Sequence, residues 1–407
     1  MVALSLALNV LAAAGPLGEQ PPAQAQPAPD LVLRCAKVLT MDAQDRVFSP
    51  GMVAISDGKI AWVGPCRELP AEVRVIDAPE SWASPGMIDL HSHVQTGSWG
   101  DINDMVLPTN AELRASAGYV PSNRLVRQAL AGGVTTLFGI PGSGTSISGF
   151  GLLYKTRDDS DYAGTVIADP GGMKVAQSHN PERRGGDLGL TRAGLYWILQ
   201  REVARARALN ELGESDPRLA GLQAVLRGEL PVLIHCAGND GAEKTVRMWR
   251  IENSTRSVLS HGSFDGWHVA KFVADAGMPV NHGPRTMNWI LGYAEGRIVG
   301  TAAAYVAAGV PDFSLNTDAG VIPQEELFLQ GSMSARLGAD AYQMLKAVTI
   351  HPARAFGIDD RIGSLEPGKD ADVVLFRGDP LDPRSCVDLV LIEGTIEYDR
   401  RRDGQRF

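Results

Sequence analysis

Cysteine is scarce in this sequence of 407 residues, and the four cysteines that occur are widely spaced. They are Cys35, Cys66, Cys236 and Cys386, and no two of them form a CxxC pair. A zinc site built from paired thiolates is therefore not expected. Cys35 and Cys66 fall within one short β-type segment, where they either form a disulfide or stay as two buried thiols.

The chain also lacks an excess of basic residues. Lys and Arg number 38 against 47 Asp and Glu, which gives a formal net charge of −9. Contacts with a phosphate backbone require a basic surface, so this composition argues against a general nucleic-acid-binding protein. The hydrophobic fraction of 44% and the charged fraction of 21% are ordinary for a globular protein.

Long apolar runs are missing as well, so no membrane span is expected. The apolar run at residues 2–14 is shorter than the roughly 20 residues that span a bilayer. A segment rich in Pro, Gln and Ala follows it, which is typical of a signal-peptide core and a linker, although a basic n-region is absent. We predict that residues 1–29 are a signal peptide and linker and that the protein is exported to the periplasm or outside the cell. An uncleaved extension on a cytoplasmic protein is the alternative.

Short β-type runs occur at both ends of the remaining chain. Near the N-terminus they are residues 31–40, 51–55 and 59–64, with Asp57-Gly58 as a hairpin turn. Near the C-terminus they are residues 372–376, 389–393 and 394–398. We expect the two segments that contain them, residues 30–82 and 362–407, to pair into one composite β-sandwich domain.

The middle of the chain, residues 83–361, alternates apolar strand-like runs with helical stretches. Such alternation is typical of βαβ units, and its length suits one (β/α)8 barrel of about 250 residues. The expected strands include residues 86–90, 134–138, 165–168, 231–234, 257–259 and 313–316, and helices are expected at residues 192–212 and 339–347. We predict an α/β fold with a distorted (β/α)8 TIM barrel and the composite β-sandwich beside it. An open doubly wound sheet is the alternative, but no GxGxxG follows the first strand.

Two histidines end the first of these strands. His91 and His93 lie two residues apart, so the period of a strand puts both imidazoles on one face. At the carboxyl end of a barrel strand that face is the mouth, where a pair of imidazoles is well placed to bind one divalent metal ion. Further potential ligands follow later strands, namely His235, His261 and Asp318. Because these residues all follow strands at the same end of the predicted barrel, a shared metal site is favoured over unrelated structural roles.

Several stretches resemble the amidohydrolase superfamily. Residues 85–93, Pro-Gly-Met-Ile-Asp-Leu-His-Ser-His, are similar to its first-strand motif, and residues 349–357 and 362–372 are similar to its last helix and the strand that follows. Other stretches resemble the imidazolonepropionase-related branch, namely residues 133–136, 141–143, 173–176, 180–183 and 261–262.

This resemblance implies a metal-dependent hydrolase acting on a small molecule. His91 and His93 would bind one metal ion, with Asp318 as a ligand and general base. His235 and His261 would bind a second ion or orient the substrate, and one of these imidazoles would stabilise the developing oxyanion. Lys174 would bridge two ions as a carbamate, or else form a salt bridge. Imidazole and carboxylate ligands suit zinc, iron, manganese or cobalt, and zinc is the expected ion, with one or two per chain.

The chain departs from the branch at positions that would shape the substrate pocket. The branch has Gly-Glu where this chain has Ser178-His179, and it has a second imidazole after strand five where this chain has Ala237. The expected reaction is hydrolysis of a C–N bond in an amide, cyclic amide or peptide-like molecule. A heterocycle deaminase on the same metal site, or an inactive barrel that serves as a binding protein, are the alternatives. The oligomeric state, including a homo-oligomer, is left open.

Overall fold

The computed structural model describes residues 28–98, 103–159, 161–182, 191–287 and 298–407. Nearly all of the predicted signal peptide and linker, residues 1–29, lies outside these ranges. No helix in the described ranges has the length and apolar character needed to cross a bilayer.

Sixteen strands are found among the described residues. They are β1 (Leu31–Leu39), β2 (Val47–Phe48), β3 (Gly51–Ser56), β4 (Lys59–Pro65), β5 (Arg74–Pro85), β6 (Met87–Ser92), β7 (Val134–Gly139), β8 (Ile147–Lys155), β9 (Val166–Ala176), β10 (Val232–Ala237), β11 (Ser257–Ser263), β12 (Val280–His282), β13 (Ser314–Leu315), β14 (Val373–Arg377), β15 (Val387–Ile392) and β16 (Thr395–Asp399).

Strands from the two ends of the chain form one mixed eight-stranded sheet, which we call the composite sheet. Its order is β16-β15-β14-β5-β1-β3-β4, and β2 pairs with β1. The long strand β5 joins the two halves, because it runs parallel to β1 and antiparallel to β14. The N- and C-terminal segments therefore pair as expected, while their arrangement as a two-layered sandwich stays a prediction.

The second sheet contains β6 to β13 in sequence order and curls into a nearly closed barrel. Its neighbouring strands are parallel except β8, which runs antiparallel to both β7 and β9. The barrel therefore departs from a strict (β/α)8 pattern, in which all eight strands are parallel. The ends of β6 and β13 meet through a bridge between Ser92 and Ala319. We call this junction of β6 with the residues after β13 the seam.

Helices cover the outside of the barrel and follow several of its strands. The α-helices are α1 (Arg124–Ala131), α2 (Tyr162–Thr165), α3 (Arg192–Leu212), α4 (Ala220–Leu226), α5 (Asn239–Thr245), α6 (Ala270–Asp275), α7 (Thr301–Ala307), α8 (Leu327–Arg336), α9 (Ala341–Ala347), α10 (Ile350–Phe356) and α11 (Arg400–Asp403). A π-helical turn, Val246–Glu252, continues α5. Helix α3 has the predicted bounds: the Thr191 hydroxyl accepts from the Gly194 N–H at its start, and Gly213 ends it at a left-handed φ of 68°.

Apolar side chains from several barrel strands form a cluster beneath the mouth. Leu90 of β6, Leu233 of β10 and Val258 of β11 pack there with Phe356 of α10 and other apolar residues. On each of these strands a histidine follows the cluster residue within three positions. The packed interior thus fixes the strand ends that carry the imidazoles.

A buried ion-pair network attaches the barrel to the composite sheet. Lys155 ends β8 and lies 3.1 Å from an oxygen of Asp370, and it also contacts Asp372. Asp370 further accepts from Lys59 at 2.6 Å and from Arg361 at 2.6 Å. Lys155, Asp370 and Asp372 are buried, and because charges of both signs are paired in the network, none of the three is left as an uncompensated charge.

The four cysteines are free thiols in this structure. Cys35 and Cys236 are buried, Cys66 is exposed and Cys386 is half-buried. The interpretation of Cys35 and Cys66 as thiols therefore agrees with the structure, although only Cys35 of this pair is buried.

Candidate metal centre

The end of β6 carries the first two imidazoles of the site. His91 is the fifth residue of β6 and His93 follows the strand; both are buried, and their ring centroids lie 5.1 Å apart. His91 Nδ1 lies 2.6 Å from the Ser260 hydroxyl, and His93 Nδ1 lies 2.9 Å from the carbonyl oxygen of Ile140. A carbonyl can only accept, so His93 must carry its proton on Nδ1 in this contact, which leaves a lone pair on Nε2.

His261 joins this pair because its backbone breaks the alternation of β11. Its φ is 72°, a left-handed value that non-glycine residues adopt rarely. The ring centroid lies 4.4 Å from that of His91 and 4.4 Å from that of His235. His261 Nδ1 donates to the Gly283 carbonyl at 3.0 Å, while Nε2 is buried and has no hydrogen-bond partner among the described residues.

Asp318 supplies a carboxylate three residues after β13. Its φ of 49° is also left-handed, a conformation that Asp tolerates better than most residues. One carboxylate oxygen, Oδ1, lies 3.3 Å from His91 Nε2 and 3.3 Å from His93 Nε2. Ligand atoms of His91, His261 and Asp318 all lie within 4.8 Å of one another.

This donor set fits a divalent metal ion. Metal-binding histidines commonly donate their second ring N–H to a carbonyl or another oxygen, which fixes the ring and exposes the other nitrogen. His93 and His261 show that arrangement with Ile140 and Gly283, and the orphaned Nε2 of His261 points to a missing ligand.

Burial keeps the imidazoles of His91, His235 and His261 neutral. It lowers the pKa of His261 to about 4 and holds the pKa of His91 and of His235 well below the usual range, with the nearby positive groups adding to the effect. Burial by itself would raise the pKa of Asp318, but the net effect of its polar neighbours, the contact with His93 above all, holds it below the usual value. Neutral imidazoles beside an ionised carboxylate are the forms that bind metal ions.

Lys174 lies on β9 and is wholly buried beside the histidines. Its Nζ is 3.2 Å from His91 Nε2 and 3.0 Å from the Ser143 hydroxyl. Burial lowers its pKa to about 7. Among the described residues no carboxylate lies within salt-bridge distance of Lys174, so the salt-bridge alternative is not what the structure shows.

His235 lies on β10 next to His261 but outside the group of three converging donors. Its ring centroid is 6.4 Å from that of His91, and neither ring nitrogen has a hydrogen-bond partner among the described residues. An unsatisfied buried polar group costs about 1–3 kcal/mol, so His235 is poised to gain a partner when a ligand binds. The structure thus brings all six predicted site residues into one cluster, with three of them forming its centre.

Other histidines have structural partners. His282 is hydrogen-bonded through Nδ1 to the His261 carbonyl and through Nε2 to the Thr301 hydroxyl, so it supports the backbone of His261 instead of lining the pocket. His351 Nδ1 lies 2.9 Å from the Phe313 carbonyl, and His268 stacks on Trp267. His179 is half-buried against the ring of Phe264.

Two serines of the site were not predicted from the sequence. Ser260 holds His91, and Ser143 contacts Lys174. Ser260 directly precedes His261, and Ser143 belongs to the 141–143 motif, so each lies next to residues that the sequence had already singled out. Their partners could not be identified from the sequence, because His91 and Lys174 lie on strands that are distant along the chain.

Several known proteins have sequences similar to that of this chain. The amidohydrolase family model matches residues 219–397. The amidohydrolase tasK of Hapsidospora irregularis is 25% identical over 87% of this chain, which spans only 40% of that protein. The imidazolonepropionase of Maricaulis maris is 28% identical, with 85% of this chain and 92% of that protein covered. A 5-methylthioadenosine/S-adenosylhomocysteine deaminase of Symbiobacterium thermophilum is also 28% identical, with 85% and 84% covered.

A solved structure matches along nearly the whole chain. The crystal structure of an amidohydrolase from Thermotoga maritima MSB8 superposes with a TM-score of 0.83 at 29% identity, and it covers 91% of this chain and 100% of its own. Together with the family model and the curated relatives, this similarity shows that the chain belongs to the amidohydrolase superfamily, in its imidazolonepropionase-related branch.

Proposed function

We propose that the protein is a metal-dependent hydrolase that cleaves a C–N bond in a small amide, cyclic amide or peptide-like molecule. The observation that carries this proposal is the convergence of His91, His261 and Asp318 within 4.8 Å at the carboxyl ends of three separate barrel segments. The family places the chain among hydrolases, and relatives named as an imidazolonepropionase and as a deaminase support a C–N bond as the target.

The residues divide into ligands and groups that act on the substrate. His91, His93 and Asp318 would hold one ion, and His261 would complete that site or bind a second ion. A bound divalent ion would lower the pKa of a water molecule and polarise the scissile carbonyl, and zinc is the ion that we propose. Asp318 accepts the proton of the attacking water and passes it to the leaving nitrogen.

The imidazoles differ in what they can donate. His261 uses its Nδ1–H on the Gly283 carbonyl, so its Nε2 offers a lone pair and suits a ligand role. His235 has no such anchor among the described residues, so either of its nitrogens is free to present an N–H to the developing oxyanion. We therefore assign oxyanion stabilisation to His235 in preference to His261.

An activity screen tests this function. Zinc-loaded protein should hydrolyse at least one compound among N-acyl amino acids, dipeptides and hydantoin-like rings, and chelator-treated protein should not. Release of ammonia from aminopurines instead would support the second candidate, a heterocycle deaminase, which the Symbiobacterium relative favours. Tight binding of such compounds without any turnover would contradict both and support a binding protein.

The number of metal ions depends on Lys174. We expect apo-protein reconstituted with zinc and bicarbonate to load two ions per chain and to be more active than protein reconstituted without bicarbonate. The reason is that the neutral amine of Lys174, favoured by its lowered pKa of about 7, can add to CO2, release one proton and become an anionic carbamate ligand. Metal analysis and activity measured on the same samples would check this. One ion per chain, together with an active Lys174→Ala variant, would contradict it and indicate a mononuclear site.

Export directed by residues 1–29, the two-layered arrangement of the composite domain and assembly into a homo-oligomer remain proposals from the sequence.

A further inference from the structure

Asp89 is a wholly buried carboxylate just below the metal centre, and the proposed reaction does not use it. Its Oδ1 accepts from the His91 backbone N–H at 2.8 Å. Its Oδ2 accepts from the Thr317 backbone N–H at 2.9 Å, from the Thr317 hydroxyl at 2.7 Å and from Gln324 Nε2 at 2.6 Å. One side chain thus ties the residue that carries the first imidazole to the residue that precedes Asp318.

These bonds lie where the barrel is least connected. Strands β6 and β13 form no ladder with each other in the described structure. Apart from the hydrogen bonds of Asp89, the seam is held by the bridge between Ser92 and Ala319. In this bridge the His93 N–H donates to the Ala319 carbonyl at 2.7 Å. The distance between Asp318, which follows the last strand, and the His91–His93 pair at the end of the first strand therefore depends on few contacts.

We propose that Asp89 is a positioning residue that sets the distance between Asp318 and the His91–His93 pair, and thereby the geometry of the metal centre. This inference rests on the proposed metal-binding function. Asp89 would act through its neighbours, because its carboxylate oxygens are already engaged by four donors from the protein.

Only a carboxylate can satisfy this arrangement. The His91 N–H and the Thr317 N–H are fixed backbone donors, and each points to a different oxygen of Asp89. The Thr317 hydroxyl and the Gln324 amide can turn to accept instead, but a backbone N–H cannot. Asparagine would therefore set its NH2 group against one of the two backbone donors in either orientation, and one side of the seam would be pushed away.

The test compares Asp89→Asn with Asp370→Asn, using cobalt(II) as the probe. Asp370 is a matched control because it is also buried and heavily bonded, but its partners Lys59, Lys155 and Arg361 join the barrel to the composite sheet. For Asp89→Asn we expect about a 10–100-fold loss of cobalt affinity and a shifted visible spectrum of the bound ion, as for other residues that orient metal ligands. For Asp370→Asn we expect a lower melting temperature with an unchanged spectrum and affinity.

The outcomes separate this inference from the proposed function. Wild-type protein that binds no cobalt would contradict the metal centre and, with it, the role of Asp89. Wild-type protein that binds cobalt, with an Asp89→Asn variant of unchanged spectrum and affinity, would overturn the role of Asp89 alone. If Asp89→Asn does not fold, the double variant Thr317→Val, Gln324→Ala removes two donors and keeps the carboxylate. It should shift the spectrum in the same direction, and an unchanged spectrum and affinity would again overturn the inference.

Discussion

Replacement of Asp318 by asparagine is expected to lower turnover by at least about 100-fold, the usual contribution of a general base. Asparagine has nearly the same size and tolerates the left-handed φ of 49° at this position, so the fold should persist. It cannot accept the proton of the attacking water, however. Substrate binding should change little, so the loss should be seen in kcat. The measurement is turnover divided by bound metal, because the loss of an anionic ligand also lowers metal content.

Asp312→Asn is a suitable control for this variant. Asp312 precedes β13 as Asp318 follows it, and its φ of 43° is also left-handed. Its charged neighbour is Arg354, at 4.0 Å, instead of a histidine of the site. We expect its turnover per metal ion to stay near the wild-type value. An Asp318→Asn enzyme that matched this control would show that another group is the base.

The second large effect is expected for His91→Ala, which should remove most of the bound metal and nearly all activity. His91 contacts Lys174 and Asp318 through Nε2 and is one of the three converging donors, so no other side chain on β6 can replace it. Metal content after dialysis, measured by mass spectrometry, would check this result.

His268→Ala is the control for the loss of a histidine. His268 is exposed and stacks on Trp267, outside the group of converging donors. This variant should keep its metal and its activity. Normal metal content and turnover in His91→Ala would mean that the reaction centre lies elsewhere in the molecule.

The parts of the fold that local sequence encodes were predicted well. Helix α3 has the expected bounds because Thr191 and Gly213 are strong capping residues at its two ends. The antiparallel β8 and the long β5 were missed for a physical reason. A strand's direction depends on its neighbours. The first seven residues of β5 are exposed or half-buried, so the strand shows neither an apolar run nor a regular alternation that would identify it. Its partners β1 and β14 lie at opposite ends of the chain.

The same distinction holds for the site. The HxH spacing and the strand-end positions identified His91, His93, His235, His261 and Asp318 as potential ligands, and the structure brings them together. The sequence did not indicate that the His261 ring turns inward through a left-handed φ, or that Gly283 and Ile140 would supply the anchoring carbonyls. These features arise from contacts between strands that are far apart in sequence.

The pairing of β5 with β14 has a consequence for how the protein is made. During synthesis the first five strands emerge early, but the edge of β5 that faces β14 has no partner until nearly the whole barrel has followed. Open strand edges pair readily with other chains, and contacts of such long range form slowly. A ribosome that stops before Val373 would therefore release a chain with an exposed edge, which makes prematurely terminated products of this protein prone to aggregation.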